Sequence, residues 1–187
     1  MSEVKTNKVS PVGANGTVTL GDSGDTITIP SGVTLTGFGT NAPAFEAQRQ
    51  SDLSISDNTM TKVTLDTEIF DTDGAYDPTT NYRFTVPSGE GGKYFVYADI
   101  TFHSSHGDQD IESLELNVKK NGSTAMNSEF KLHSSYGGQT FTANQSNILT
   151  LAASDYLELW GLFDNTQGST YTKIKAATLG AFKLIGI

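Results

Sequence analysis

The second half of the chain alternates. In Tyr94-Phe95-Val96-Tyr97-Ala98-Asp99-Ile100-Thr101-Phe102, every other residue is apolar, and a strand sends such a row to one face. Tyr94, Val96, Ala98, Ile100 and Phe102 therefore form a core row. Phe95 and Tyr97 fall on the other face with Asp99 and Thr101. Leu114, Leu116 and Val118 repeat the pattern, as do Leu157 and Leu159, with Tyr156 and Trp160 left outside around Glu158. The alternation predicts strands at 44–49, 61–69, 81–86, 93–103, 111–119, 127–133, 138–143, 147–152, 155–163 and 172–186. Turn formers separate them: Asp73-Gly74, Asp77-Pro78, Pro87-Ser88-Gly89, Asn121-Gly122, Gly137-Gly138 and Asp164-Asn165. Asn121-Gly122 is the strongest hairpin signal, because both residues of a two-residue turn must accept positive φ. No amphipathic helical period competes. The predicted class is all-β, a sandwich or barrel of short strands.

Before residue 44 the pattern thins. Thr17-Val18-Thr19-Leu20, Thr26-Ile27-Thr28-Ile29 and Val33-Thr34-Leu35-Thr36 each give one narrow apolar edge and one Thr-covered edge. So few apolar groups cannot close a core alone. Such a segment needs identical copies beside it or a docking surface on a larger assembly; otherwise it is a loose tail. The chain is accordingly divided into a β-rich N-terminal anchor or stalk, 1–43, and one domain, 44–187.

Composition narrows the function. With a net charge of −9 and only twelve Lys and Arg, no basic stripe follows a phosphate backbone, so nucleic acid is not an expected partner. The absence of Cys removes disulfide scaffolds, thiol catalysis and thiolate zinc sites. No stretch approaches the ~20 apolar residues of a membrane-spanning helix, and residues 1–15 lack the apolar segment of an export signal. An extracellular type of domain with no export signal leads to an expectation of release by lysis, as for a virus particle assembled in a host cytoplasm.

Two outward aromatic pairs, Phe95 with Tyr97 and Tyr156 with Trp160, are costly to leave wet, and a subunit interface is the natural place for them. Other clusters are weaker. His103 and His106, near Asp108 and Asp110, have a spacing that a strand end and loop leave unconstrained, and His133 stands apart; no metal is expected. Asp71-Thr72-Asp73-Gly74 with Asp77 resembles part of a calcium loop but lacks its closing Glu, and reads as an Asx-rich turn. No Gly-x-Ser-x-Gly elbow occurs. Asp108, Asp110 and Glu112 supply carboxylates but no groove for a glycan chain. Gly89-Glu90-Gly91-Gly92 is not followed by the helix of a phosphate loop. Neither catalysis nor a cofactor is expected.

Several motifs in order resemble the C1q/TNF-like jelly rolls. Ala44-Phe45-Glu46-Ala47 opens the domain as a small-Phe-x-Ala strand. Phe70-Asp71-Thr72 leads through Tyr76-Asp77-Pro78 to Tyr82-Arg83-Phe84-Thr85-Val86-Pro87, followed by Gly92-Lys93-Tyr94-Phe95-Val96-Tyr97. Leu149-Thr150-Leu151, Asp155-Tyr156-Leu157-Glu158-Leu159 and the closing Gly180-Ala181-Phe182-Lys183-Leu184-Ile185 complete the order. Ser88-Gly89-Glu90-Gly91 lengthens one loop, Val96 and Ala98 replace aromatics, and no collagen-like Gly-X-Y stalk precedes the domain. Thr/Gly-rich strands ahead of such a head are similar to structural proteins of tailed phages, including marine and cyanobacterial ones.

The resemblance implies a homotrimer, with three sandwiches around a threefold axis and Phe95, Tyr97, Tyr156 and Trp160 at its interface. It further implies a fibre or capsid decoration protein on the virion surface, bound to capsid or tail through residues 1–43. The loops 103–111 and 134–139 would face outward, with His106, Asp108 and Tyr136 toward any ligand. The alternatives are a tail-fibre tip that binds bacterial surface glycan, for which Tyr136 would suit sugar stacking, and a capsule depolymerase.

Overall fold

The computed structural model describes residues 41–105, 111–131, 140–166 and 172–185 continuously, and before them only positions 9, 11, 18, 19, 23–28 and 31. Twelve strands and no helix are present among these residues: β1 (Ala44–Arg49), β2 (Leu53–Ser54), β3 (Thr61–Lys62), β4 (Thr67–Asp71), β5 (Tyr76–Asp77), β6 (Arg83–Thr85), β7 (Gly92–Ser104), β8 (Ile111–Lys120), β9 (Ser123–Lys131), β10 (Thr140–Leu151), β11 (Tyr156–Asn165) and β12 (Thr172–Lys183).

They form two antiparallel sheets. One runs β10-β7-β12-β1-β4, with β2 on β12; the other runs β5-β6-β11-β8-β9, with β3 on β11. We call them the β7 sheet and the β11 sheet. The first and last long strands pair along their whole contact, Ala44 opposite Phe182 through Arg49 opposite Ala177. The chain therefore enters the domain at Ala44 and leaves its last strand at Lys183 from the same end of the β7 sheet.

The alternating rows meet between the sheets. Tyr94, Val96, Ala98, Ile100 and Phe102 are buried against Leu157, Leu159, Phe163, Leu114, Leu116 and Val118. The motif aromatics converge on one stack at this core's edge. Phe45 lies flat on Phe84 with centroids 4.5 Å apart, and on Tyr76 at 5.3 Å. Tyr94 tilts against Phe84, and burial raises its phenol pKa to about 12. Tyr76 and Tyr94 satisfy their hydroxyls by donating to the Leu65 and Glu90 carbonyls, as buried phenols must.

Asn121 and Gly122 both take positive φ, 52° and 80°, and join β8 to β9 in a two-residue turn of the type the strand twist favours. Four expected strands are corrected. The stretch 61–69 is two strands in different sheets, because the chain crosses the sandwich at buried Val63 and Leu65. The described part of the runs 138–143 and 147–152 is one strand, Thr140–Leu151, since Asn144, Gln145 and Ser146 stay in register with β7. A polar run resembles a turn in sequence, but here it lies along the sandwich's edge. The strand expected at 127–133 begins earlier, at Ser123.

The chain divides into two compact units, Met1–Phe38 and Gly39–Ile187. In the first, Ser23-Gly24 makes a turn, and the described parts of two expected strands, Val18-Thr19 and Thr26–Thr28, are not strands. Val18 and Ile27 are exposed. A four-residue run with two apolar side chains has too little area to bury to hold a ladder alone. The expected strand at Val33–Thr36 lies outside the described residues.

Candidate assembly faces

The β7 sheet sends its second row of side chains away from the core. Phe95 stands opposite Ile148 on β10 and Phe182 on β12. One row on, Tyr97 stands opposite Ser146 and Gly180, and Gly180 in turn opposite Glu46, which faces Phe70 on the edge strand β4. Phe95 packs at 5.3 Å from Phe182 and 6.2 Å from Tyr97. Ile148 and Phe70 remain 52% and 44% exposed, so four strands contribute to one apolar patch with little covering it. This patch occupies the end of the sheet where the chain enters at Ala44. Toward the other end the face turns polar. Asp99 lies between Asn144 and Thr178, Thr101 bonds Thr142 at 2.9 Å, and His103 bonds Thr140 at 2.9 Å.

Tyr97 does not project. Its ring lies across the neighbouring strand, over Gly180, where any Cβ would overlap it. Its hydroxyl reaches β1 and donates to Glu46 Oε2 at 2.6 Å, while Gln48 Nε2 donates to Glu46 Oε1 at 2.9 Å. Burial first, and then the Glu46 hydrogen bond, push the Tyr97 phenol well above its ordinary value. The ring is thereby held down against the sheet over Gly180.

The outward face of the β11 sheet is built differently. Glu158 is only 8% exposed; it takes Lys62 Nζ at 2.6 Å and the Trp160 indole N–H at 3.1 Å. Lys62 also donates to the Asn81 carbonyl. Lys119 sits 3.8 Å over the Trp160 ring, and Arg83 lies 4.4 Å over Tyr156. Each leftover aromatic here has an in-chain cation on it, an arrangement worth ~0.5–1 kcal/mol at an exposed site.

The four aromatics grouped in the sequence reading as one interface are thus not brought together. Phe95 and Tyr97 share a face with Phe182, Ile148 and Phe70, while Tyr156 and Trp160 occupy the opposite side of the sandwich. Alternation shows that a residue points outward but not from which sheet. Phe182 was findable: Ala177, Leu179 and Ala181 alternate inward, which places it outward. Ile148 was findable too, since it alternates with Leu149 and Leu151 within 147–152, whereas Phe70 was cut off by the strand boundary at 69. His106, Asp108 and Tyr136, the expected ligand-facing residues, lie outside the described residues, as does His133.

The acidic turn closes on itself. Asp71 accepts the Tyr76 N–H at 2.6 Å and the Asp73 N–H at 3.1 Å. Asp77 accepts the N–H groups of Thr80, Thr79 and Asn81 at 2.9, 3.0 and 3.0 Å, which hold its carboxyl well below the usual carboxylate range. These are Asx-type closures, and among the described residues no three candidate metal ligands cluster.

A second acidic group ties hairpin to turn. Asp155 takes Lys120 Nζ at 2.8 Å, the Ala152 N–H at 2.7 Å and Asn121 Nδ2 at 2.7 Å. Lys120 chiefly lowers its pKa, to about 2.

No protein-family model matches the chain, and no curated protein matches it. Solved structures do. The globular domain of zebrafish complement 1qA protein superposes with a TM-score of 0.53 at 16% identity, covering 76% of this chain and 96% of that one. Murine APRIL, solved at pH 5.0, superposes with a TM-score of 0.50 at 14% identity, covering 75% of this chain and 99% of that one. At such identities the likeness is one of fold: the chain carries a C1q/TNF-like jelly-roll sandwich.

Proposed function

We propose that the chain is a non-enzymatic structural module that assembles as a homotrimer through the outward face of the β7 sheet. The observation that carries this reading is the apolar patch of Phe95, Tyr97, Phe182, Ile148 and Phe70, drawn from four strands, in which Ile148 and Phe70 stay exposed and the other three half-buried among the described residues. An exposed patch of this kind marks an association site. Three copies of a C1q/TNF-like sandwich closing on that face would cover it, and a closed threefold arrangement leaves no further copy of the face exposed.

In the finer reading the trimer is a fibre or decoration head on a phage virion, with residues 1–43 attaching it to capsid or tail. Support comes from the alternating Thr-rich runs before the domain, exposed Val18 and Ile27, the absence of Cys and the net charge of −9. The patch lies at the end where the chain enters, so three attachment segments would emerge together.

Sedimentation equilibrium of the full chain tests the assembly. A mass of three chains at micromolar concentration is expected, and a single-chain mass throughout would overturn it. Electron microscopy of particles carrying the full chain or a chain without residues 1–40 tests the attachment. Heads that still decorate particles after the deletion would overturn that part.

A further inference from the structure

Beside the apolar patch, the same face holds two carboxylates. Glu46 on β1 has a donor on each oxygen, Tyr97 at 2.6 Å and Gln48 at 2.9 Å. Asp99 on β7 is half-buried and takes a hydrogen bond from Thr178 on β12. The groups facing Asp99 are Asn144 from β10, Thr178 from β12, Glu46 and Gln48 from β1, and its strand neighbours Tyr97 and Thr101. None is a cation. The basic groups on this side of the sheet are exposed Lys93, three rows away beyond Phe95; exposed Lys175, at the β12 bulge beside the Thr101 row; and His103 and Lys173, two rows away, where Lys173 pairs with Asp52 at 3.3 Å. Among the described residues neither Glu46 nor Asp99 has an ion pair.

We propose that assembly through this face is coupled to proton uptake by Asp99, so that the trimer tightens on acidification. The proposal rests on the assembly reading above. Closing three copies on the face removes water from three Asp99 carboxylates beside three Glu46 carboxylates, with no basic group in their row to compensate. Burying an unpaired charge costs more than burying the neutral acid. Glu46 keeps its two donors whatever happens at Asp99, so Asp99 is the group that changes. Its carboxyl is already held above the ordinary value in the single chain, by burial first and by the Glu46 charge as well. A raised value in the associated state means that its contribution is present at low pH and is lost as pH rises through that value.

The test is sedimentation equilibrium of the full chain at about pH 5 and about pH 8. The three-chain association constant is expected to fall by up to about tenfold per pH unit for each proton taken up. Asp99→Asn, nearly isosteric, should lose most of that slope and associate more tightly than the parent at about pH 8. Glu46→Gln should retain a slope. Dilution calorimetry of the unaltered chain, in two buffers of different ionisation enthalpy, counts protons without any substitution; release on dissociation is expected. A trimer with the same constant at both pH values, an undiminished slope in Asp99→Asn, or no proton release would overturn the proton coupling while leaving the assembly standing. Single chains at both pH values would overturn the assembly reading itself.

Discussion

Both outward faces of the sandwich carry aromatic residues in the same alternating context, yet they are finished in opposite ways. On the β11 sheet, Trp160 and Tyr156 are roofed by Lys119 and Arg83, and Glu158 is held by Lys62 and the Trp160 indole. On the β7 sheet, Phe95, Phe182, Ile148 and Phe70 meet no such cation among the described residues, and the Tyr97 ring lies over a glycine. The first face completes itself within the chain, whereas the second keeps an apolar patch with exposed Ile148 and Phe70 among the described residues. An outward aromatic therefore does not by itself mark an interface. What counts is whether the chain supplies its partner.

The comparison breaks most directly at Phe95. Replacing it with Glu places a charge at the centre of the apolar patch and should weaken association by roughly thirtyfold or more, the effect of losing a central anchor. Trp160→Ala, the matching change on the other face, should leave the sedimenting mass unaltered. Equal loss of association in both variants would erase the distinction.

Glu158→Gln should lower fold stability by about 1–3 kcal/mol, because it leaves Lys62 beside a partly buried site without its counter-charge. Denaturant unfolding measures it, and the associated mass should not change. Gly180→Ala sharpens the contrast from the other side. Its methyl group must lift the Tyr97 ring, for about 1–3 kcal/mol of overpacking and a weaker association, seen together in unfolding and sedimentation.

The smallest expected effect belongs to neither face. Asp155→Asn should cost about 1 kcal/mol near neutral pH, the modest figure appropriate to a site that solvent screens. The Asp155 pKa is lowered to about 2 in the folded chain, so its contribution is present above the unfolded value of about 4 and fades as pH falls toward the folded value. Unfolding midpoints of parent and variant should therefore converge on acidification; a constant gap would assign the loss to packing.

The amino-acid sequence by itself determined the class of fold and the sorting of residues into rows. Tyr94 to Phe102, Leu114 to Val118 and Leu157 with Leu159 reach the core as alternation requires, because a period of two leaves each strand only two faces. Asn121-Gly122 determined its own turn, since positive φ is a local property of the backbone. Only the tertiary structure decided which sheet each strand joined, and so which outward rows became neighbours. The split of 61–69 between sheets, the uninterrupted β10, and the meeting of Phe70, Glu46, Tyr97, Phe182, Phe95 and Ile148 on one face all depend on pairings between distant residues. The same holds for the cations over Tyr156 and Trp160 and for the one on Glu158, because Arg83, Lys119 and Lys62 come from three other strands. Periodicity is written along the chain; partnership is made across it.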